Sequence, residues 1–144
     1  MTRKQAGEYK TKHPADIQAS GAIVQAIKEK IKDNELSCAH AEAIARDAST
    51  TLAEVGTNLD LLEVRIGKCQ LGLFGYNPTS KAVAPATAVS PELTAAIRGA
   101  LNDGRLPCGA AWTIAASLGI PRMAVAGACE AMKIKIKPCQ LGAF

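Results

Sequence analysis

The chain has 144 residues, a net charge of +4, 48% hydrophobic side chains and only 3% aromatic ones. That length suits one domain or two small ones, and the mild positive charge permits a nucleic-acid partner without demanding it. So few rings argue against a stacking platform for single strands or RNA, which needs several exposed aromatics.

The N-terminal stretch MTRKQAGEYKTKHP is polar, with no apolar centre, so no secretory leader is expected there and a cytoplasmic protein is. Residues 1–14 read as a basic arm carrying Arg3, Lys4, Lys10, Lys12 and His13. It is expected either to stay disordered as a tail or to track phosphates. Five cysteines in such a protein read as thiols rather than a disulfide framework.

A first helix is expected within 15–32, where Ile23, Ile27 and Ile31 recur every four residues. Asp33-Asn34 signals a turn and Glu35-Leu36-Ser37 a short extended piece. A second helix is predicted over 38–48 and a third over 51–62, with Leu52, Val55, Leu59 and Leu62 as its core stripe. The period then falls to two in Glu63-Val64-Arg65-Ile66, the signature of a half-buried strand. Cys69-Gln70-Leu71-Gly72 and Phe74 close the segment.

Residues 75–89 lack a period and are rich in Gly, Pro, Ser, Thr and Ala, as a linker is. After it the pattern repeats. Aligned at an offset of 70 residues, 20–74 and 90–144 share 16 identities over 55 positions without a gap. Cys38 falls on Cys108, Ile44-Ala45 on Ile114-Ala115, and CQLG with its trailing Phe on the second CQLG and Phe144. The chain is therefore an internal duplication, with repeat 1 at 15–74 and repeat 2 at 90–144. A unit of this size buries little surface alone, so the copies are expected to pack together or in a dimer.

In repeat 2, Ser90 and Pro91 start a helix with the stripe Leu93, Ile97 and Leu101. Within Cys108–Phe144, Ile114, Ala115, Leu118, Gly119, Ile120 and Val125 stand at the spacing of a helix-turn-helix. Ala115 leaves room for a crossing helix, Gly119 tolerates a left-handed turn, and Pro121 suits the start of the next helix. Lys133-Ile134-Lys135-Ile136-Lys137 repeats the strand. On these residues the chain resembles the tandem helix-turn-helix, winged-helix-like superfamily of DNA-binding domains.

The expected fold is mainly α. It holds two tandem winged-helix-like three-helix units with short strands, related by a pseudo-twofold. Only CQLG and a Phe follow each strand, so a stub replaces the wing. Gly72 and Gly142 would reverse the backbone there. Leu71, Phe74, Leu141 and Phe144 would fold back over the core of their own repeat.

The resemblance implies double-stranded DNA as partner and a transcriptional regulator as function, with helix three entering the major groove. Its exposed residues would be Thr51, Ala53, Glu54, Gly56, Thr57, Asn58 and Asp60 in repeat 1. In repeat 2 they would be Pro121, Arg122, Met123, Ala126, Gly127 and Glu130. Among these only Arg122, Thr51, Thr57 and Asn58 have base-reading or phosphate-binding chemistry. Lys133, Lys135 and Lys137, with Arg3 and Lys4 of the arm, are further phosphate candidates.

Two other functions fit the same residues. The small residues Gly56, Ala126 and Gly127 would let another chain approach closely, as in a protein–protein module or homodimer that keeps the scaffold without DNA readout. Trp112, whose counterpart is Glu42, fits such a buried face or its own core equally. The paired Cys38, Cys69, Cys108 and Cys139 would suit a thiol-based metal or redox sensor, although no CxxC is present and buried small thiols are the plainer reading. His40 has Ala110 as its counterpart, so a symmetric His/Cys site does not arise. No metal, cofactor or enzymatic constellation is expected, and no apolar run is long enough for a membrane helix.

Overall fold

The computed structural model describes residues 8–14, 17–77 and 80–144. The chain is mainly helical, with six α-helices and one two-stranded parallel sheet among the described residues. It divides into two compact units, Met1–Cys69 with Gln140–Phe144, and Gln70–Cys139. Arg3 and Lys4 lie outside the described residues.

Unit 1 contains α1 (Gly21–Lys30), β1 (Glu35–Ser37), α2 (Cys38–Asp47), α3 (Leu52–Leu61) and β2 (Arg65–Gly67). Its first helix is shorter than the apolar stripe suggested, because 17–20 run without helical structure up to the N-cap Ser20. Ser37 and Thr51 cap α2 and α3 by accepting from His40 N and Glu54 N, each at 3.1 Å. Ile23, Ile27, Leu36, Ile44, Val55 and Leu59 are buried together as the core. Strands β1 and β2 pair in parallel, with Glu35 opposite Arg65 and Leu36 opposite Ile66.

Unit 2 contains α4 (Pro91–Gly99), α5 (Cys108–Leu118) and α6 (Arg122–Met132). Ser90 caps α4 by accepting from Leu93 N at 3.1 Å. Gly119 ends α5 at φ +66, the left-handed turn its sequence position requires. The strands of repeat 2 contract to a single parallel bridge between Leu106 and Ile136. Two hydrogen bonds hold it, from Leu106 N to Lys135 O at 3.0 Å and from Lys137 N to Leu106 O at 2.9 Å.

Among the described residues, 8–13 ahead of repeat 1 and 81–86 ahead of repeat 2 each form a strap over the third helix. In unit 1 a 3-10 turn at Tyr9–Lys12 lies on α3, and Tyr9 is buried. The backbone N–H groups of Tyr9 and Lys10 donate to the two oxygens of Glu63, each at 2.9 Å. Lys12 and His13 pair with the buried Asp60 at 3.0 and 2.7 Å. In unit 2 the equivalent stretch runs beside α6, where Ala86 N donates to Gly127 O at 2.9 Å and Lys81 pairs with Glu130.

The CQLG segments correct the sequence reading. Each was expected over the core of its own repeat. Cys69 and Cys139 do stay with their own repeats, but from Gln70 and Gln140 onward each packs in the unit built from the other repeat. In unit 1, Leu141 is buried and its backbone lies against α3 so closely that a Cβ on Gly56 would run into the Leu141 carbonyl. Lys12 Nζ donates to Gly142 O at 2.9 Å. In unit 2, Leu71 is fully buried and Gly72 O accepts from Ala82 N and Val83 N at 2.8 and 3.0 Å. Gly72 and Gly142 do adopt positive φ, +76 and +79. The reversal is therefore local, while in unit 1 the tail lies flush on the third helix at Gly56, which has no Cβ to hold it off.

Candidate nucleic-acid interface

The strap and the exchanged segment together cover much of the third helix in each unit, and this decides which side chains remain available. Gly56, Asn58 and Asp60 were expected on an exposed face and are buried, as are Ala126 and Gly127. The chain itself occupies that face: backbone lies against Gly56, Asn58 and Gly127, and the Lys12 and His13 side chains close over Asp60.

Asn58 is 1% exposed, with its carboxamide fully engaged. Its Oδ1 accepts from Ser20 N at 2.7 Å, and its Nδ2 donates to Glu54 O at 2.8 Å. It closes the strap onto α3 and is not placed to read a base. Thr51 is the N-cap, and Thr57 Oγ1 donates to Ala53 O at 3.0 Å within the helix. Three of the four predicted readout residues are thus committed to local backbone.

Arg122, at the start of α6, has its guanidinium 3.7 Å above the Trp112 ring and donates to Gln70 Oε1 at 2.8 Å. The stack explains Trp112: it packs under a cation whose counterpart in repeat 1 is Leu52, as its own counterpart is Glu42. The Gln70 contact comes from the segment that unit 2 receives from repeat 1.

The three lysines form a different kind of site. Lys133 ends α6 in the left-handed conformation, φ +59, and Lys135 and Lys137 follow at alternate positions of the extended chain. Lys133 and Lys135 are exposed and Lys137 is half-buried, while Ile136 between them faces the core. Lys135 and Lys137 flank the bridged Ile136, about 7 Å apart at roughly 3.3 Å per residue, and Lys133 precedes them at the left-handed helix end.

The sequence reading missed a fourth member, Arg105. The Leu106–Ile136 bridge sets Arg105 beside Lys135 in parallel register, and both are exposed. In repeat 1 the same register sets Glu35 beside Arg65. The signal was present in the alignment of the copies, where a cross-strand acid–base pair becomes two bases. Among the described residues none of Arg105, Lys133, Lys135 and Lys137 takes part in an ion pair. Like charges side by side on neighbouring strands repel, so this edge holds unbalanced positive charge.

The asymmetry extends to whole units. Unit 1 carries ten basic and ten acidic side chains, and unit 2 carries seven basic and three acidic. The net +4 of the chain therefore resides in unit 2.

The thiols are separate from this edge. Cys38, Cys69, Cys108 and Cys129 are buried and Cys139 is partly exposed. No three His, Cys, Asp or Glu side chains among the described residues are grouped to hold a metal ion. Burial, reinforced by the neighbouring Glu130 charge, pushes the Cys129 thiol up to about 11, so it stays protonated and unreactive near neutrality. No helix among the described residues is long and apolar enough to cross a membrane. No family model, curated protein or solved structure matches this chain.

Proposed function

We propose that this is a double-stranded-DNA-binding protein, a regulator by its resemblance, that grips the phosphate backbone through the basic edge of repeat 2. The observation that carries this reading is the row Lys133, Lys135 and Lys137 with Arg105 beside it, unpaired and on the unit that holds the entire net charge. Phosphate contacts position a protein on DNA without reading sequence. The engaged side chains of Thr51, Thr57 and Asn58 favour that mode over base readout.

The test is a titration of random duplex DNA at several salt concentrations. Affinity should fall with salt at a slope of about −0.9 per phosphate neutralised, so about −3 to −4 for four cations. Replacing Lys135 and Arg105 together with Ala should flatten the slope by about 2. Absence of binding at low salt, or an unchanged slope in the double variant, would refute the proposal.

A second reading is a protein–protein module that keeps the scaffold without touching DNA. It draws support from the lack of base readout by α3, where Asn58 is buried and Thr51 and Thr57 bond to backbone, although Gly56 and Gly127 are covered by this chain itself. Under it, the wild-type chain shows no salt-dependent DNA affinity at all.

A further inference from the structure

The contacts that seat Gln140–Phe144 on unit 1 join two pieces of chain that are far apart in sequence. The seat is α3 with the strap over it. Gly56 lies flush against the Leu141 carbonyl, Leu141 is 3% exposed, and Lys12 Nζ reaches Gly142 O at 2.9 Å. Recognition thus uses a glycine, a buried leucine and a backbone carbonyl. Nothing in these contacts depends on which molecule delivers the tail.

We infer that the α3 seat also accepts Gln140–Phe144 of a second copy of this chain, giving a tail-exchanged dimer. The closed monomer and the exchanged dimer make the same contacts at the seat, so they differ mainly in how the tail is tethered. Exchange of an identical element between copies is a low-cost route to self-association. The tail is tethered to its own seat through unit 2, Gln70–Cys139, so closed chains dominate in dilute solution and exchange competes as the chain concentration rises. The occupant is specified by the seat itself. Repeat 2 has Ala126 where repeat 1 has Gly56, so only the α3 seat is shaped without a Cβ at the point of closest approach.

Two full-length variants test this by complementation. Leu141→Asp spoils the tail and leaves the seat intact, while Gly56→Ala blocks the seat and leaves the tail intact. Each alone should sediment as a monomer. An equimolar mixture should form a one-to-one complex of twice the chain mass, with the tail of the Gly56→Ala chain in the seat of the Leu141→Asp chain. A mixture that stays monomeric, or either variant dimerising alone to the same extent, overturns the inference.

Should a variant fail to fold, wild-type chains labelled separately with donor and acceptor at the α-amino group are unfolded together and refolded at about 1 mM. Energy transfer that survives dilution on the time scale of the measurement, and that decays as chains reclose, is expected. No transfer overturns the inference independently of any variant, and it leaves the DNA proposal untouched.

Discussion

The two copies of one ancestral pattern solve the same packing problem with opposite chemistry. In unit 1 the strap is pinned by charge and hydrogen bonds: Glu63 takes two backbone N–H groups, Asp60 takes Lys12 and His13, and Asn58 takes Ser20 N. In unit 2 the strap has one ion pair, Lys81 with Glu130, and a backbone hydrogen bond from Ala86 N to Gly127 O, and the surface between is mostly apolar. Ala128 stands where Asn58 does, Gly127 where Thr57 does and Ile120 where Thr50 does, and with Ala84, Ala86 and Met123 they line a groove of about 500 Å³. Unit 1 balances its charges internally, whereas unit 2 leaves its cations unpaired at one edge.

The largest expected effect tests whether the close approach at Gly56 is as asymmetric as it looks. Gly56→Ala should destabilise unit 1 by about 3 kcal/mol, the upper part of the range for overpacking, because the obstacle is backbone. The mirror change Ala126→Gly should cost only about 1 kcal/mol, the price of a glycine within a helix. Urea denaturation of both variants checks this, and equal losses would break the comparison.

Asn58→Ala should cost about 1–3 kcal/mol by stranding Ser20 N, and it should raise hydrogen exchange at Ser20 without changing DNA affinity. An affinity loss in a stably folded variant would return Asn58 to the interface.

A charge exchange sharpens the contrast between the two strand pairs. Arg105→Glu copies the opposite charges that Glu35 and Arg65 carry at this register in repeat 1, where Arg65 donates to Asp33 O. By removing like charges side by side it should stabilise the chain by at most about 1 kcal/mol while weakening DNA binding. Glu35→Arg should do the reverse to stability and leave binding unchanged or slightly tighter. Melting temperatures and salt titrations on both variants read the outcome.

The smallest effect concerns pH. The Cys129 thiol titrates near 9.0 when unfolded and is pushed up to about 11 by burial in the folded chain. Between those values the folded state holds a proton that the unfolded state has released, so stability should fall as pH rises through this window. Cys129→Leu, which copies Leu59 of repeat 1, should remove that part of the alkaline loss in melts at pH 8 and pH 10.

The helices and the cap at Ser90 were legible because each rests on local pattern, whereas the parallel direction of the strand pairing and the caps at Ser37 and Thr51 emerged only in the structure. Ile27 and Ile97, Ser90 with Pro91, and the alternation around Ile136 need no knowledge of distant chain. The exchange of the CQLG segments was not legible. A buried leucine such as Leu141 is equally apolar over either core, and only the close approach at Gly56 selects one of them. The fate of Asn58 was hidden for a related reason: its place on the helix wheel is that of a surface residue until the strap covers it. The basic edge was half visible, since the lysines alternate plainly in sequence, but Arg105 joins them only through strand register.

The exchange also gives synthesis a direction. Leu141 leaves the ribosome about 85 residues after Gly56, which at about 5–20 residues per second is roughly 4–17 seconds. During that interval unit 1 lacks the segment that lies against Gly56. Unit 2 meets no such delay, because the segment it receives has already been made. Nascent chains therefore pass through a stage in which the first copy waits for the second.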